Sequence, residues 1–337
     1  MRIFVTGGAG YVGSACLRLL LRQGHDAIAF DNLSEGYAQA VPEGRLVQGD
    51  IRDTAALAQA MKAHGAEAVM HFAAATYVGE SVTNPDHHYG NNIAGTLSLL
   101  RAMRETGVQR MLFSSTCATY GDNPTPPMNE DAAQIPCSPY ARTKLAVEWM
   151  IRDFAHAYGL GFTLLRYFNA SGADRDGEFG ENHEPENHLI PLLLQVAAGQ
   201  RDKLLMFGDD YPTPDGTCIR DYVHTDDLAS AHLLAIEATT PKTAEVFNIG
   251  TGNGQSVRQV ISACEKVTGR PIAIEVVARR PGDAPALVAD PAKIKTRLGW
   301  QPQWNHIEAI VESAWRWHQR YPKGYASKAA AQRAAGR

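Results

Sequence analysis

Short apolar runs alternate with longer amphipathic stretches through the first half of the chain. Ile3-Phe4-Val5, Ala27-Ile28-Ala29-Phe30, Ala68-Val69-Met70 and Met111-Leu112-Phe113 are compact and bounded by glycine or polar residues. Such runs predict buried strands, over 2–6, 26–30, 45–48, 68–72 and 108–113. Between them, apolar positions recur at helical spacing. This predicts helices over 11–23, from about Asp53, and over 85–106. A further helix opens at Ser138, a capping residue, with Pro139 in its first turn and good helix formers to Trp149. Strand–helix alternation at this pitch implies an α/β fold with a parallel, doubly wound sheet.

The pattern changes near Ala170. A charged loop over 172–187 is rich in Gly, Asn and Glu. Shorter elements follow: helices over 189–198, 227–238 and 257–268, and a strand over 204–207. Asp226 reads as a helix cap rather than a catalytic acid. Ile307, Ile310, Val311, Ala314 and Trp315 recur at helical spacing, as a packing face. The division expected is a nucleotide-binding domain over 1–170, with a return crossing around 218–250. A smaller α/β substrate domain spans 171–322, and a poorly ordered Ala-rich tail spans 323–337.

Composition narrows the functional classes. With 337 residues, 45% of them apolar, the chain can bury a large core. Its formal charge of -4, with both signs dispersed, points to neither nucleic acid nor an acidic membrane surface. Five widely spaced cysteines without a C-x-x-C pair suit a reduced, cytoplasmic protein. No leader pattern precedes the first strand, and no apolar run approaches the roughly 20 residues of a membrane helix. No residue set is assigned to a metal.

Candidate chemistry begins at Gly7-Gly8-Ala9-Gly10-Tyr11-Val12-Gly13, between a strand and a helix. That order is the context of a dinucleotide fingerprint. Both registers, Gly7/Gly10/Gly13 and Gly8/Gly10/Gly13, are open. The loop must turn tightly and bring backbone N–H groups to a pyrophosphate at the helix N-terminus. Asp31 follows Gly13 by 18 positions, the spacing of an acid that holds the adenosine ribose. Its charge would repel a 2′-phosphate, favouring NAD over NADP. Asp50 either contacts adenine or caps a turn. Ala73-Ala74-Ala75 leave space at a strand end, and Ser114-Ser115-Thr116 place hydroxyls at another. Tyr140 and Lys144 share one helix face, with Cβ atoms about 6 Å apart. A fixed lysine charge there would lower the tyrosine pKa and make it a usable acid–base group.

Together these residues resemble the extended short-chain dehydrogenase/reductase family, and within it the members that act on UDP-sugars at C4. The resemblance covers about residues 1–320. It includes Asp31-Asn32-Leu33-Ser34, Gly49-Asp50-Ile51, His71-Phe72-Ala73-Ala74 and Arg166-Tyr167-Phe168-Asn169-Ala170. Phe207-Gly208-Asp209-Asp210-Tyr211-Pro212-Thr213, Arg220-Asp221-Tyr222 and Arg279-Arg280-Pro281-Gly282-Asp283 also match. It implies a Rossmann-type sheet, bound NAD and interconversion of UDP-glucose and UDP-galactose through a 4-keto sugar. The resemblance makes Tyr140 the acid and base, has Lys144 hold the nicotinamide ribose, and bonds Thr116 to the sugar 4-hydroxyl. NAD would meet Gly7, Gly10, Tyr11, Val12, Gly13, Asp31, Asn32, Asp50, Ile51, Phe72, Ala73, Ala74, Ser114 and Tyr167. Asn169, Arg220 and Arg280 would hold the diphosphate, Asp283 its ribose and Phe207 the uracil, with Leu189 and Leu287 on the substrate side. A homodimer through 85–106 and 139–158 is also implied.

Two positions depart from that pattern. Thr76 stands where many members carry a lysine near the cofactor, and Leu287 where some carry a tyrosine at the sugar pocket. Three rival readings are weighed: epimerisation of another UDP-sugar, dehydration or decarboxylation of a nucleotide sugar, and NAD sensing. Dehydration needs an acidic pair after Thr116, and Cys117-Ala118 stand there instead. Sensors tend to lose the tyrosine that this chain keeps.

Overall fold

The computed structural model describes residues 1–122, 125–280 and 283–325. Its strands are β1 (Arg2–Thr6), β2 (Asp26–Asp31), β3 (Leu46–Gln48), β4 (Ala68–His71), β5 (Arg110–Thr116), β6 (Gly161–Tyr167), β7 (Asn169–Ser171), β8 (Leu204–Phe207), β9 (Ile219–His224), β10 (Ala244–Ile249), β11 (Gly254–Ser256), β12 (Ile274–Val277) and β13 (Ala286–Leu287). Seven of them form a parallel sheet in the order β3-β2-β1-β4-β5-β6-β10. The order reverses between β1 and β4, which opens a crevice at their carboxyl ends.

Strand alternation distributes the core. Ile3 and Val5 point to one face of the sheet and Phe4 to the other. On the first face, α1 (Tyr11–Arg22) contributes Leu17 and Leu20. On the second, α2 (Thr54–His64) contributes Leu57 and Met61. The helix expected over 85–106 is three consecutive segments: α3 (Val78–Thr83) precedes them, then α4 (Pro85–His88), a π-helical turn over Tyr89–Ala94, and α5 (Gly95–Thr106). The widened turn carries buried Asn92, which bonds the Ala75 backbone N–H at 2.8 Å and carbonyl at 3.0 Å. The same amide donates to Thr143 Oγ1 at 3.0 Å on α6 (Pro139–Tyr158). The π turn thereby ties the loop after β4 to the helix that carries Tyr140.

In the second half, α7 (Leu189–Ala197), α8 (Thr225–Ala238), α9 (Val257–Thr268), α10 (Ala292–Leu298) and α11 (Ile307–Arg320) follow. Leu228, Ala231 and Ala235 of α8 join the core of the large sheet. Leu193, Val260, Ile310 and Val311 make a separate core under α7, α9 and α11, so the apolar face of α11 packs. β11, β9 and β13 form one small sheet, with β7 beside β9, and β12 pairs with β8.

Two expectations are corrected. Asp226 is not the cap of α8; His224 Nδ1 accepts the Asp226 N–H at 3.0 Å and fills that role. Burial pushes the Asp226 carboxyl up to about 6. The tail does not begin at 323, because Tyr325 is buried, with its ring 5.1 Å from that of Tyr37. The rest of the expected tail lies outside the described residues. Among the described residues no helix is long and apolar enough to cross a membrane. All five cysteines are free.

Candidate active site

β1 delivers the chain to Gly7 in a left-handed conformation, φ 72°. A Cβ there would lie 2.4 Å from the Ala73 backbone nitrogen, so the loops after β1 and β4 meet with no room for a side chain. At Gly13 a Cβ would lie 2.2 Å from the Gly7 carbonyl oxygen. Gly8 is equally crowded, a Cβ there lying 2.6 Å from that of Ala29, so both glycine registers stay open. Gly10 caps α1 with no side-chain hydrogen bond, and no acidic residue stands in the first turn. The N–H groups beside Tyr11 and Val12 are therefore free of an internal anion, as a pyrophosphate site requires. Tyr11 donates its hydroxyl to the Gly172 carbonyl at 2.6 Å, joining this loop to the second half.

Asp31 ends β2 and accepts the Ala9 N–H at 3.0 Å and the Leu33 N–H at 2.8 Å. It thus holds the glycine loop and its own turn. Asn32 donates to Asp50 at 3.2 Å. Asp50 also accepts Arg52 Nε at 2.9 Å and the Arg52 backbone N–H at 2.8 Å. That guanidinium holds the Asp50 carboxyl well below the usual range. Asp50 holds its own turn through these bonds. Ile51 is buried. Phe72 faces His232 at 4.9 Å between ring centres, and Phe72, Ala73 and Ala74 are half-buried. Thr76 is exposed.

The chemistry-bearing residues converge where β5 ends. Ser138 accepts the Ala141 N–H at 3.2 Å and caps α6. Lys144 is buried and donates to the Ser114 carbonyl at 2.8 Å. Burial brings its ammonium down to about 7, against the pull of Glu148. Desolvation pushes the Tyr140 phenol up to about 12, while a hydrogen bond with Thr116 draws it down. The lowering expected from Lys144 is not seen, because desolvation of Tyr140 outweighs its hydrogen bond with Thr116. The hydroxyls of Ser114 and Tyr167 bond each other. His88 stands edge-on to Tyr140 at 6.4 Å between ring centres.

A buried network beneath this corner escaped the sequence reading. Glu148 accepts Ser115 Oγ at 2.6 Å, Arg166 Nε at 2.9 Å and the Arg166 terminal nitrogen at 2.6 Å. Arg166 also donates to Tyr120 Oη at 3.0 Å, and Tyr120 to Asn248 at 2.7 Å. The signal was present: Glu148 follows Lys144 by four positions on the face that carries Tyr140.

The residues expected on the substrate side lie on the small sheet and the loops beside it. Asn169 is on β7, half-buried; Arg220 on β9 is in register with Leu287 on β13. Leu287 packs against the cluster of Cys117, Tyr120, Met128, Phe168 and Ala289, directly after Thr116. Arg220 pairs with Asp283. The Arg280 guanidinium lies 3.9 Å from the centre of the Phe207 ring. Leu189 opens α7 and is half-buried. Pro281 and Gly282, between Arg280 and Asp283, lie outside the described residues.

Comparison with known proteins agrees with this geometry. The pattern that describes the NAD dependent epimerase/dehydratase family matches residues 3–250, ending one residue past β10. A UDP-glucose 4-epimerase of Halalkalibacterium halodurans is 49% identical over 329 residues, 97% of this chain and 98% of that protein. The crystal structure of UDP-glucose 4-epimerase from Brucella ovis in complex with NAD is 49% identical, with a TM-score of 0.90 over 93% of this chain and 97% of that one. The Bifidobacterium longum UDP-glucose 4-epimerase, solved with NAD+ and UDP, is 35% identical, with a TM-score of 0.92 over 96% of this chain and 100% of that one. The chain belongs to the NAD dependent epimerase/dehydratase family.

Proposed function

We propose that this chain interconverts UDP-glucose and UDP-galactose by inverting C4 through a transient 4-keto sugar. The observation that carries the reading is the convergence of Thr116, Tyr140 and Lys144 at the end of β5, beside the glycine cradle. Names and ligands of the relatives support it.

Gly7, Gly10 and Gly13 with the open start of α1 fit the pyrophosphate of NAD. Asp31 and Asn32 would take its adenosine ribose, and Asp50 and Ile51 its adenine. Tyr11, Val12, Phe72, Ala73 and Ala74 would line the cleft, with Ser114, Lys144 and Tyr167 toward the nicotinamide. When bound, NAD supplies a hydride acceptor that returns the hydride to the ketone. Tyr140 takes the proton of the sugar 4-hydroxyl, and Thr116, its hydrogen-bond partner, orients that hydroxyl. Lys144 holds the nicotinamide ribose. Asn169, Arg220 and Arg280 grip the diphosphate, a planar fork suiting its oxygens. Asp283 takes the uridine ribose, Phe207 packs on uracil, and Leu189 and Leu287 border the sugar. The ketone turns about the diphosphate link, and Tyr140 returns the proton on the other face.

Dehydration is disfavoured at the same corner. Cys117 and Ala118, which follow Thr116, carry no carboxyl to remove a proton at C5 or to protonate the leaving hydroxyl. The 1–170 and 171–322 division, and a homodimer through the α4–α5 and α6 faces, belong to this proposal. Trp149 and Tyr158 on α6 are large and exposed, as such an interface would require.

The test is incubation of the purified chain with UDP-galactose and no added cofactor, followed by chromatography. UDP-glucose should accumulate to an equilibrium mixture without stoichiometric NADH. A product roughly one water lighter would move the assignment to a dehydratase.

A further inference from the structure

Outside the catalytic corner, one loop gathers four metal-ligating side chains. Glu181, His183, Glu186 and His188 follow one another within eight residues, in the order E-x-H-x-x-E-x-H. Their ligand atoms all lie within 4.8 Å of one another. His183 Nδ1 is 3.4 Å from Glu181 and 3.7 Å from Glu186. His188 Nδ1 is 2.7 Å from Glu181 and 3.3 Å from Glu186. Bonds of about 2.0–2.2 Å to a tetrahedral zinc place ligand atoms roughly 3.3–3.6 Å apart. Three of the four separations already lie near that edge, and the shortest needs under an ångström of opening.

The surroundings fit a built site. Glu181 and Glu186 are buried, with side-chain exposures of 7% and 6%. His183 Nδ1 is buried and faces the Glu181 and Glu186 carboxylates without an aligned hydrogen bond. Glu186 is held from outside by the backbone N–H groups of Asn187 at 2.8 Å and His188 at 2.9 Å, which would fix a ligating carboxylate. His188 is half exposed and leaves a way in. Ligation requires both imidazoles neutral; with the two carboxylates the set then carries a charge of about -2, which one dication cancels. Imidazole and carboxylate together suit a first-row divalent ion such as zinc.

We propose that Glu181, His183, Glu186 and His188 bind one zinc-type divalent cation that pins this loop to the nucleotide cleft. Tyr11, from the glycine loop, stands edge-on to His183 at 6.4 Å between ring centres. His188 caps α7, so the ion would also fix Leu189. Its role is positional and needs no part in hydride or proton transfer.

The experiment uses the full chain, purified without chelator and then loaded with zinc. Elemental analysis should find one zinc per chain, and EDTA should lower the melting temperature by several degrees, reversed by adding zinc back. Cobalt(II) added to stripped protein should give the intense visible band of a tetrahedral site. His183→Ala and His188→Ala should each weaken zinc binding more than the 10–100-fold typical of outer-shell changes, and lose the band. Glu80→Gln, in the separate Glu80/His87/His88 group, should change neither. Substoichiometric zinc after loading, with a melting point indifferent to EDTA, would mean the four side chains form only an ion-pair cluster. A full cobalt band surviving in both histidine variants would equally overturn the assignment. None of these readouts depends on which sugar is turned over.

Discussion

On the β5–α6 side of the cleft, Tyr140, Lys144 and Thr116 stand beside buried Ser115, Glu148 and Arg166, with Ser115 and Arg166 both bonded to Glu148. On the β9–β13 side, Arg220 and Arg280 are engaged with Asp283 and Phe207, which are themselves assigned to the substrate. The first region is a buried, hydrogen-bonded frame. The second pairs groups that, on the proposed reading, must part to meet a diphosphate and a uracil. Chemistry needs fixed geometry, because small misplacements of a reacting group are costly. Binding of a flexible diphosphate, about which a ketone must turn, tolerates rearrangement.

The largest expected effect tests the fixed side. Tyr140→Phe removes only the acid–base hydroxyl. Turnover should fall roughly 10²–10⁴-fold with bound NAD retained. Near-normal turnover with UDP-galactose would take Tyr140 out of the mechanism. Next comes the support beneath it. Glu148→Leu leaves the Arg166 guanidinium buried and unpaired, which costs about 3–5 kcal/mol. Replacing both partners with apolar residues should recover much of that. Chemical denaturation of the parent and these two variants decides; a Glu148→Leu variant as stable as the parent would mean the network carries no weight.

The same contrast explains what sequence reading reached. Strands, the glycine loop and the Tyr140–Lys144 face are local patterns, and each appears in place. Asn92 was hidden because a π turn has no signature in an apolar periodicity of 3.6. Glu148 lay on the right face, but its partners Arg166 and Ser115 come from β6 and β5, and only the sheet brings them together. Tyr140's raised pKa also follows from burial, which spacing cannot report. On the substrate side, the pairing of Arg220 with Asp283 and of Arg280 with Phe207 depends on loops that meet only in the fold.

A third test asks whether the looser side sets sugar choice. Leu287 packs behind the turn that follows Thr116. Its volume should admit a 2-acetamido group without offering it a partner. UDP-glucose and UDP-galactose should be the best pair, with weaker but detectable turnover of UDP-N-acetylglucosamine. Leu287→Tyr should suppress the acetylated reaction by about 1–3 kcal/mol while sparing the hexoses. Equal kcat/KM ratios in both proteins would show that Leu287 does not gate the pocket.

The smallest expected effect is at Arg280, and it tests the exchange itself. This exposed guanidinium lies over the Phe207 ring, an interaction worth about 0.5–1 kcal/mol at such a site. If uracil takes the ring and the diphosphate takes the guanidinium, binding must first give up that stack. Arg280→Lys keeps the charge but loses the planar fork and much of the stacking. The diphosphate is remote from C4, so the lost contact is made equally in ground and transition states. KM should therefore rise by roughly 3–10-fold, with kcat changed less than about 2-fold. Phe207→Leu should weaken UDP as well, but by removing the uracil platform. In the double variant the two losses should not add, because neither residue then has a stack to surrender. Additive losses, or a fall in kcat at constant KM, would mean that Arg280 and Phe207 do not exchange partners when substrate binds.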